Sequence, residues 1–131
     1  MQQHLLAALV LTLPLSVQAQ SRWKDIGKTS SGNVVSVDPK TIKKSAGRVS
    51  ATVRVVFTPP VKAANGTWAS SVTTATFECA TKKLAAKENV YYSDVKSTKV
   101  VERKVNKIPG YGPALGGSLG MVALDYLCSL K

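Results

Sequence analysis

The chain is 131 residues long, 44% hydrophobic and 19% charged, with 18 Lys and Arg against 7 Asp and Glu and a formal net charge of +11. That balance describes a globular domain of ordinary size and excludes wholesale disorder. The single histidine is His4, inside a segment that reads as an export signal, so Ser-His-Asp and Cys-His triads and His-based metal sites are excluded from the domain that follows.

Leu5 to Val17 is apolar except for Thr12, Pro14 and Ser16, and Val17-Gln18-Ala19 then supplies a small-x-small pattern. The segment reads as a signal peptide, with cleavage expected between Ala19 and Gln20. As a helix the apolar run rises only about 20 Å, short of a hydrocarbon core of roughly 30 Å. Residues 1–19 hold no Asp, Glu, Lys or Arg, so the whole net charge falls on residues 20–131. No cysteine lies near the cleavage site, so no lipobox is present, and no later stretch is apolar for long enough to span a membrane. The expectation is a signal peptide at 1–19 and one domain at 20–131, exported to the periplasm or beyond without a lipid anchor.

Trp23 to Ile26 and Val34 to Val37 read as short strands around the turn cluster Ser30-Ser31-Gly32-Asn33. Asp38-Pro39-Lys40-Thr41-Ile42 reads as one helical turn, with Asp38 as its cap and Pro39 where a missing N–H costs nothing. Val49 to Thr58 alternates, with Val49, Ala51, Val53, Val55 and Phe57 on one side, as a half-buried strand does. Pro59-Pro60 interrupts it, Asn65-Gly66 supplies turn residues, and Thr67 to Cys79 returns as the antiparallel partner. Asn65-Gly66-Thr67 also matches a glycosylation sequon, but the turn explains it first. On the returning strand Ala69, Ser71, Thr73, Ala75, Phe77 and Cys79 share a face that is small except for Phe77, so another element can lie close against it. Val90 to Ser93 and Lys99 to Val105 give two further strands. From Leu119 the period changes: Leu119, Val122, Ala123, Tyr126, Leu127 and Leu130 line one face of a helix, with Ser118 as its N-cap. The fold class is α+β, a sheet with one late helix.

Cys79 and Cys128 are the two cysteines. In an exported chain they read as a disulfide, which closes a long loop and stabilises by about 4 kcal/mol in the chain-entropy picture. That bridge ties the helix to the sheet face carrying Phe77.

Trp23-Lys24-Asp25-Ile26-Gly27, Val37-Asp38-Pro39-Lys40-Thr41-Ile42, Phe77-Glu78-Cys79, Tyr91-Tyr92-Ser93 and Gly117-Ser118-Leu119-Gly120 leading to Cys128 together resemble the surface-adhesin protein E family of Gram-negative bacteria. The resemblance spans residues 20–131 and implies an antiparallel sheet of about six strands with a C-terminal helix tethered by a disulfide. It also implies a non-enzymatic protein without a cofactor, whose named relatives attach to host extracellular-matrix and plasma proteins. Two features depart from the family pattern. Surface-exposed relatives can be lipoproteins, and the lipobox is absent here; relatives also often carry Glu three residues after the helix cap, where this chain has Met121, leaving half of a capping box.

Chemistry is sparse. The carboxylates Asp25, Asp38, Glu78, Glu88, Asp94, Glu102 and Asp125 are not brought together by the sequence, and Asp38 already caps a turn. The loop Gly110-Tyr111-Gly112-Pro113 with Gly116-Gly117 lacks the cation and the parallel crossover of a phosphate cradle. No enzyme, cofactor or metal site is expected. Basic residues carry the remaining functional content. Lys82, Lys83 and Lys87 cluster after Cys79; Lys99, Arg103 and Lys107 fall on one side of a strand, with Lys96 and Lys104 on the other. Three functions fit: an adhesin-like binder of a host or envelope macromolecule through these patches and the loop Pro59 to Thr67; a periplasmic accessory protein with no host partner; or a binder of polyanions such as lipid A phosphates or heparin-like glycans. Nucleic acid is disfavoured because no recognition motif is present.

Overall fold

The computed structural model describes residues 21–131, so the signal peptide expected at 1–19 and its cleavage point at Ala19 and Gln20 lie outside the described residues. The elements are β1 Lys24–Lys28, β2 Val34–Val37, a 3-10 turn Pro39–Thr41, β3 Lys43–Ser45, β4 Arg48–Ala63, β5 Gly66–Glu78, β6 Lys83–Tyr92, β7 Val100–Val105, β8 Gly112–Pro113 and the helix α1 Leu119–Ser129. They form a single antiparallel sheet in the order β1-β2-β4-β5-β6-β7, with β3 added to β4 and β8 to β6. This is the antiparallel sheet and terminal helix that the alternating and helical periods imply.

The capped turn forms as read: Asp38 accepts from the Lys40 N–H at 3.1 Å, and Pro39 stands at the first helical position. Thr41 Oγ1 then accepts from the Thr52 N–H at 2.9 Å, pinning the turn to β4. The β4 strand continues past Pro59-Pro60 to Ala63. Its ladder with β5 skips from Val56 opposite Ser70 to Val61 opposite Trp68, so the prolines occupy a bulge where no ladder N–H is needed. The expected loop Pro59 to Thr67 is therefore mostly paired hairpin, its true turn reduced to Ala64 and Asn65.

Alternation along the strands separates two faces. Val37, Val49, Ala51, Val53, Ala75 and Phe77 meet Ala123, Leu124 and Leu127 of α1 in the core. The small residues of β5 let the helix lie close, and Ser118 caps it by accepting from the Met121 N–H at 3.3 Å. Cys79 and Cys128 are bridged, with Cα atoms 5.6 Å apart, fixing the helix to the end of β5. The 11 helical residues span about 16 Å, whereas the 13 of β5 span about 40 Å, so the helix covers only part of this face.

Candidate functional site

What the helix leaves uncovered is a groove. Two clefts of about 410 Å³ and 470 Å³ lie over β4, β5 and β6 and share Thr73, Asn89, Leu115, Ser118 and Leu119 in their walls. The floor is made by the same alternation that builds the core, carried beyond the helix: Val55 and Phe57 from β4, Ser71 and Thr73 from β5, Asn89 and Tyr91 from β6. One wall is the segment leading into α1, continued at one end by the turn Thr29 to Asn33. Close backbone contact holds these walls together. Gly117, at φ 75°, accepts from the Ser30 N–H at 2.9 Å, and a Cβ at Gly117 would lie 2.9 Å from the Ser30 side chain. Within the groove Thr73 donates to Asn89 Oδ1 at 2.7 Å. At one end Trp68 stacks on Tyr91 with ring centroids 3.9 Å apart, and Lys104 Nζ stands 5.6 Å from the Tyr91 ring.

The opposite face is hydroxyl-rich. Ser50 and Thr76 hydrogen-bond at 2.9 Å, and Thr52 and Thr74 at 3.3 Å, because each pair is directly opposed across β4 and β5. The loop between β6 and β7 folds over this face. Ser70 Oγ donates to the Asp94 carbonyl at 2.6 Å, and Arg54 Nη1 to the Val95 carbonyl at 3.4 Å. Asp94 organises the loop by accepting from the Thr98 hydroxyl and from the Thr98 and Lys99 N–H groups. Those donors, the Thr98 hydroxyl foremost, hold its carboxyl at about 2, below the usual carboxylate value. Burial lowers Arg54, with Asp25 opposing the shift and Arg22 adding to it; its guanidinium lies 4.9 Å from the centroid of Trp23. The Thr81 hydroxyl and then Arg48 pull Glu78 down.

The six basic residues singled out in the sequence do not converge. Lys82 occupies the β5–β6 turn at φ 53°, and its carbonyl accepts from the Ala114 N–H at 3.0 Å. Lys83 opens β6 opposite Glu78. Lys87 is the extra residue of a bulge in β6, its carbonyl bonded to the Asn106 N–H at 2.9 Å. Lys99 lies before β7 in the loop that Asp94 organises, and Lys107 lies beyond the strand's end. Arg103 is paired with Glu88. Since β6 is about 30 Å long, Lys82 and Lys83 are separated from Lys99 by nearly its whole length. A bulge at Val101 also changes the phase of β7, so Lys99, Arg103 and Lys107 do not share one strand face. Lys96, read as part of that strand, lies in the loop before it.

Among the described residues no group of three or more His, Cys, Asp or Glu is placed to hold a metal ion, and no helix is long and apolar enough to cross a membrane. The groove was not visible in the sequence. Its walls are uncharged residues drawn from six separate segments, and only the small face of β5 hinted that something other than close packing could occupy that side.

A family model described as surface-adhesin protein E matches residues 23–129. No curated protein matches the chain. Among solved structures, crystal form II of Haemophilus influenzae protein E superposes with a TM-score of 0.57 at 12% identity, over 89% of this chain and 94% of that one. The selenomethionine form of Haemophilus influenzae protein E gives 0.56 at 13% identity, over 84% and 88%. Protein E from non-typeable Haemophilus influenzae gives 0.55 at 13% identity, over 89% and 82%. At these identities the superpositions establish a shared fold. With the sheet, the disulfide-tethered helix and a family model matched over nearly all of the described residues, the chain belongs to the surface-adhesin protein E family.

Proposed function

We propose that the protein is an exported, adhesin-like binding protein, released from its signal peptide between Ala19 and Gln20, that recognises a host or envelope macromolecule without catalysing a reaction. Family membership is the observation that carries this reading. The distribution of charge supports it. Four ion pairs form among the described residues, only two of them within the β6 to Lys107 region. Lys82, Lys83, Lys87, Lys99 and Lys107 therefore keep their charge toward solvent, spread along β6 and the two ends of β7, while Arg103 is paired with Glu88. A partner with an acidic surface is the complement of such a spread of cations. Matrix and plasma proteins, and anionic glycans of the envelope or host, are the candidate classes.

The test is binding of the purified, oxidised protein to immobilised laminin, vitronectin and heparin, at low and at physiological salt. The reading expects saturable binding to a matrix or plasma protein that survives physiological salt and weakens in the triple variant K82E/K83E/K87E. Binding to heparin alone, lost as salt rises, would instead identify a general polyanion binder whose affinity is counterion release. Absence of binding at either salt would leave the charge as a solubility feature and overturn the reading.

A further inference from the structure

We infer that the concave groove binds a single-chain anionic amphiphile, a long-chain fatty acid. In a chain of net charge +11, the residues lining both clefts of the groove include no charged side chain. Three other clefts among the described residues are lined by charged groups: Lys44 and Arg48 in one, Lys43, Arg48 and Glu78 in another, Arg22, Asp38 and Lys40 in a third. An uncharged channel in so basic a surface selects an apolar chain, because burying it there leaves no ion desolvated. Leu115 is 67% exposed where the two clefts meet, and Phe57, Leu119 and Tyr91 line the same space. Each cleft falls within the roughly 300–1,000 Å³ range of small-molecule sites.

The rim supplies the complement to a carboxylate. Lys104 Nζ stands 5.6 Å from the ring of Tyr91. Lys87 is bonded through its carbonyl to Asn106, which lines the groove, and Lys107 follows Asn106 in the chain. Glu102, 3.9 Å from Lys104, offsets part of this charge and leaves the rim positive. Inside, Asn89 accepts from Thr73 through Oδ1, and its Nδ2 donors have no protein partner among the described residues. A chain laid along the uncharged floor against Val55, Phe57, Leu115 and Leu119, with its head among these lysines, satisfies both halves of the surface. A neutral chain satisfies one half, and a soluble anion the other.

The experiment is calorimetric titration of the oxidised protein with palmitate below its micelle concentration, with monopalmitoylglycerol and acetate as the chain-only and head-only probes. NMR amide shifts locate the site. The expected result is one saturable palmitate site per chain, weaker binding of the glycerol ester, none of acetate, and shifts at Thr73, Asn89 and Ser118. Both Leu115 and Lys104 are exposed, so their substitution should leave the fold intact. L115E, which sets a carboxylate beside the chain, should weaken palmitate by about tenfold or more, and K104E should weaken palmitate more than the glycerol ester. Failure to saturate, unchanged affinity in L115E, shifts confined to the hydroxyl-rich face, or equal binding of palmitate and its glycerol ester would each overturn the assignment.

Discussion

Single residues set the geometry on both faces. Asp94 is the clearest case, because its carboxyl is held at about 2 by the Thr98 hydroxyl, the Lys99 N–H and the Thr98 N–H. A depressed carboxylate contributes above its ordinary value and loses that contribution as pH falls through its folded value. The contribution of Asp94 to the β6–β7 loop should therefore be full above pH 3.8 and be lost as pH falls from there through about 2, the value at which Asp94 titrates. In T98V the Asp94 carboxyl should titrate closer to 3.8, its ordinary value, when followed by carboxyl-detected NMR; an unchanged midpoint would show that the backbone donors suffice. Gly117 is a second case. Its positive φ and its proximity to Ser30 leave no room for a side chain, so G117A should lower stability by about 1–2 kcal/mol in urea denaturation.

At the scale of elements, the N-terminus of α1 explains a departure from the family pattern. A Glu at the Met121 position would reach back to the Ser118 N–H, but that N–H already donates to the Leu115 carbonyl at 3.1 Å. Met121 instead lies against the core. Restoring the family residue with M121E should therefore fail to stabilise and should lower the melting temperature, since it trades apolar contact for a charge whose capping donor is taken. S118A, which removes the cap itself, should cost about 1 kcal/mol. Core strands, the capped turn and α1 were legible in the sequence because alternation, Asp38-Pro39 and the helical spacing after Ser118 each carry a direct physical signal. Lys83 to Asn89 was not read as strand. Lys-Leu-Ala-Ala-Lys-Glu-Asn has poor strand propensity, and pairing with both β5 and β7 overrides it. The short β3 and β8 hold too few residues to show a period. The prolines after Thr58 signalled a break, but the structure absorbs them in a bulge and resumes the ladder. The groove escaped because its residues are ordinary one by one and gain meaning only from what the helix does not cover.

The whole molecule is a sheet with one bonded strut. Phe77 and Leu127, 1% and 0% exposed, pack in the core between strut and sheet beside the Cys79–Cys128 bridge, which bonds the two at their ends. Replacing both cysteines with alanine should lower unfolding free energy by about 4 kcal/mol. Chemical denaturation of the double variant checks this, with hydrogen exchange showing whether α1 opens before the strands. A loss well below that figure would mean that core contacts alone keep the helix in place. The same experiment bears on the groove, since its wall leads directly into α1: a helix that detaches takes the wall with it.

Most ladders join strands consecutive along the chain, β1 to β2, β3 to β4, β4 to β5, β5 to β6 and β6 to β7, while β8 returns to the start of β6 and Cys128 follows its partner by 49 residues. A polypeptide delivered across a membrane from its N-terminus can zip this sheet hairpin by hairpin as it emerges. Cys79 arrives early and must wait as a free thiol until the helix has been delivered. Bond formation therefore closes assembly instead of guiding it, and any oxidase acting too soon has only an external thiol, or a second chain's Cys79, to offer as partner.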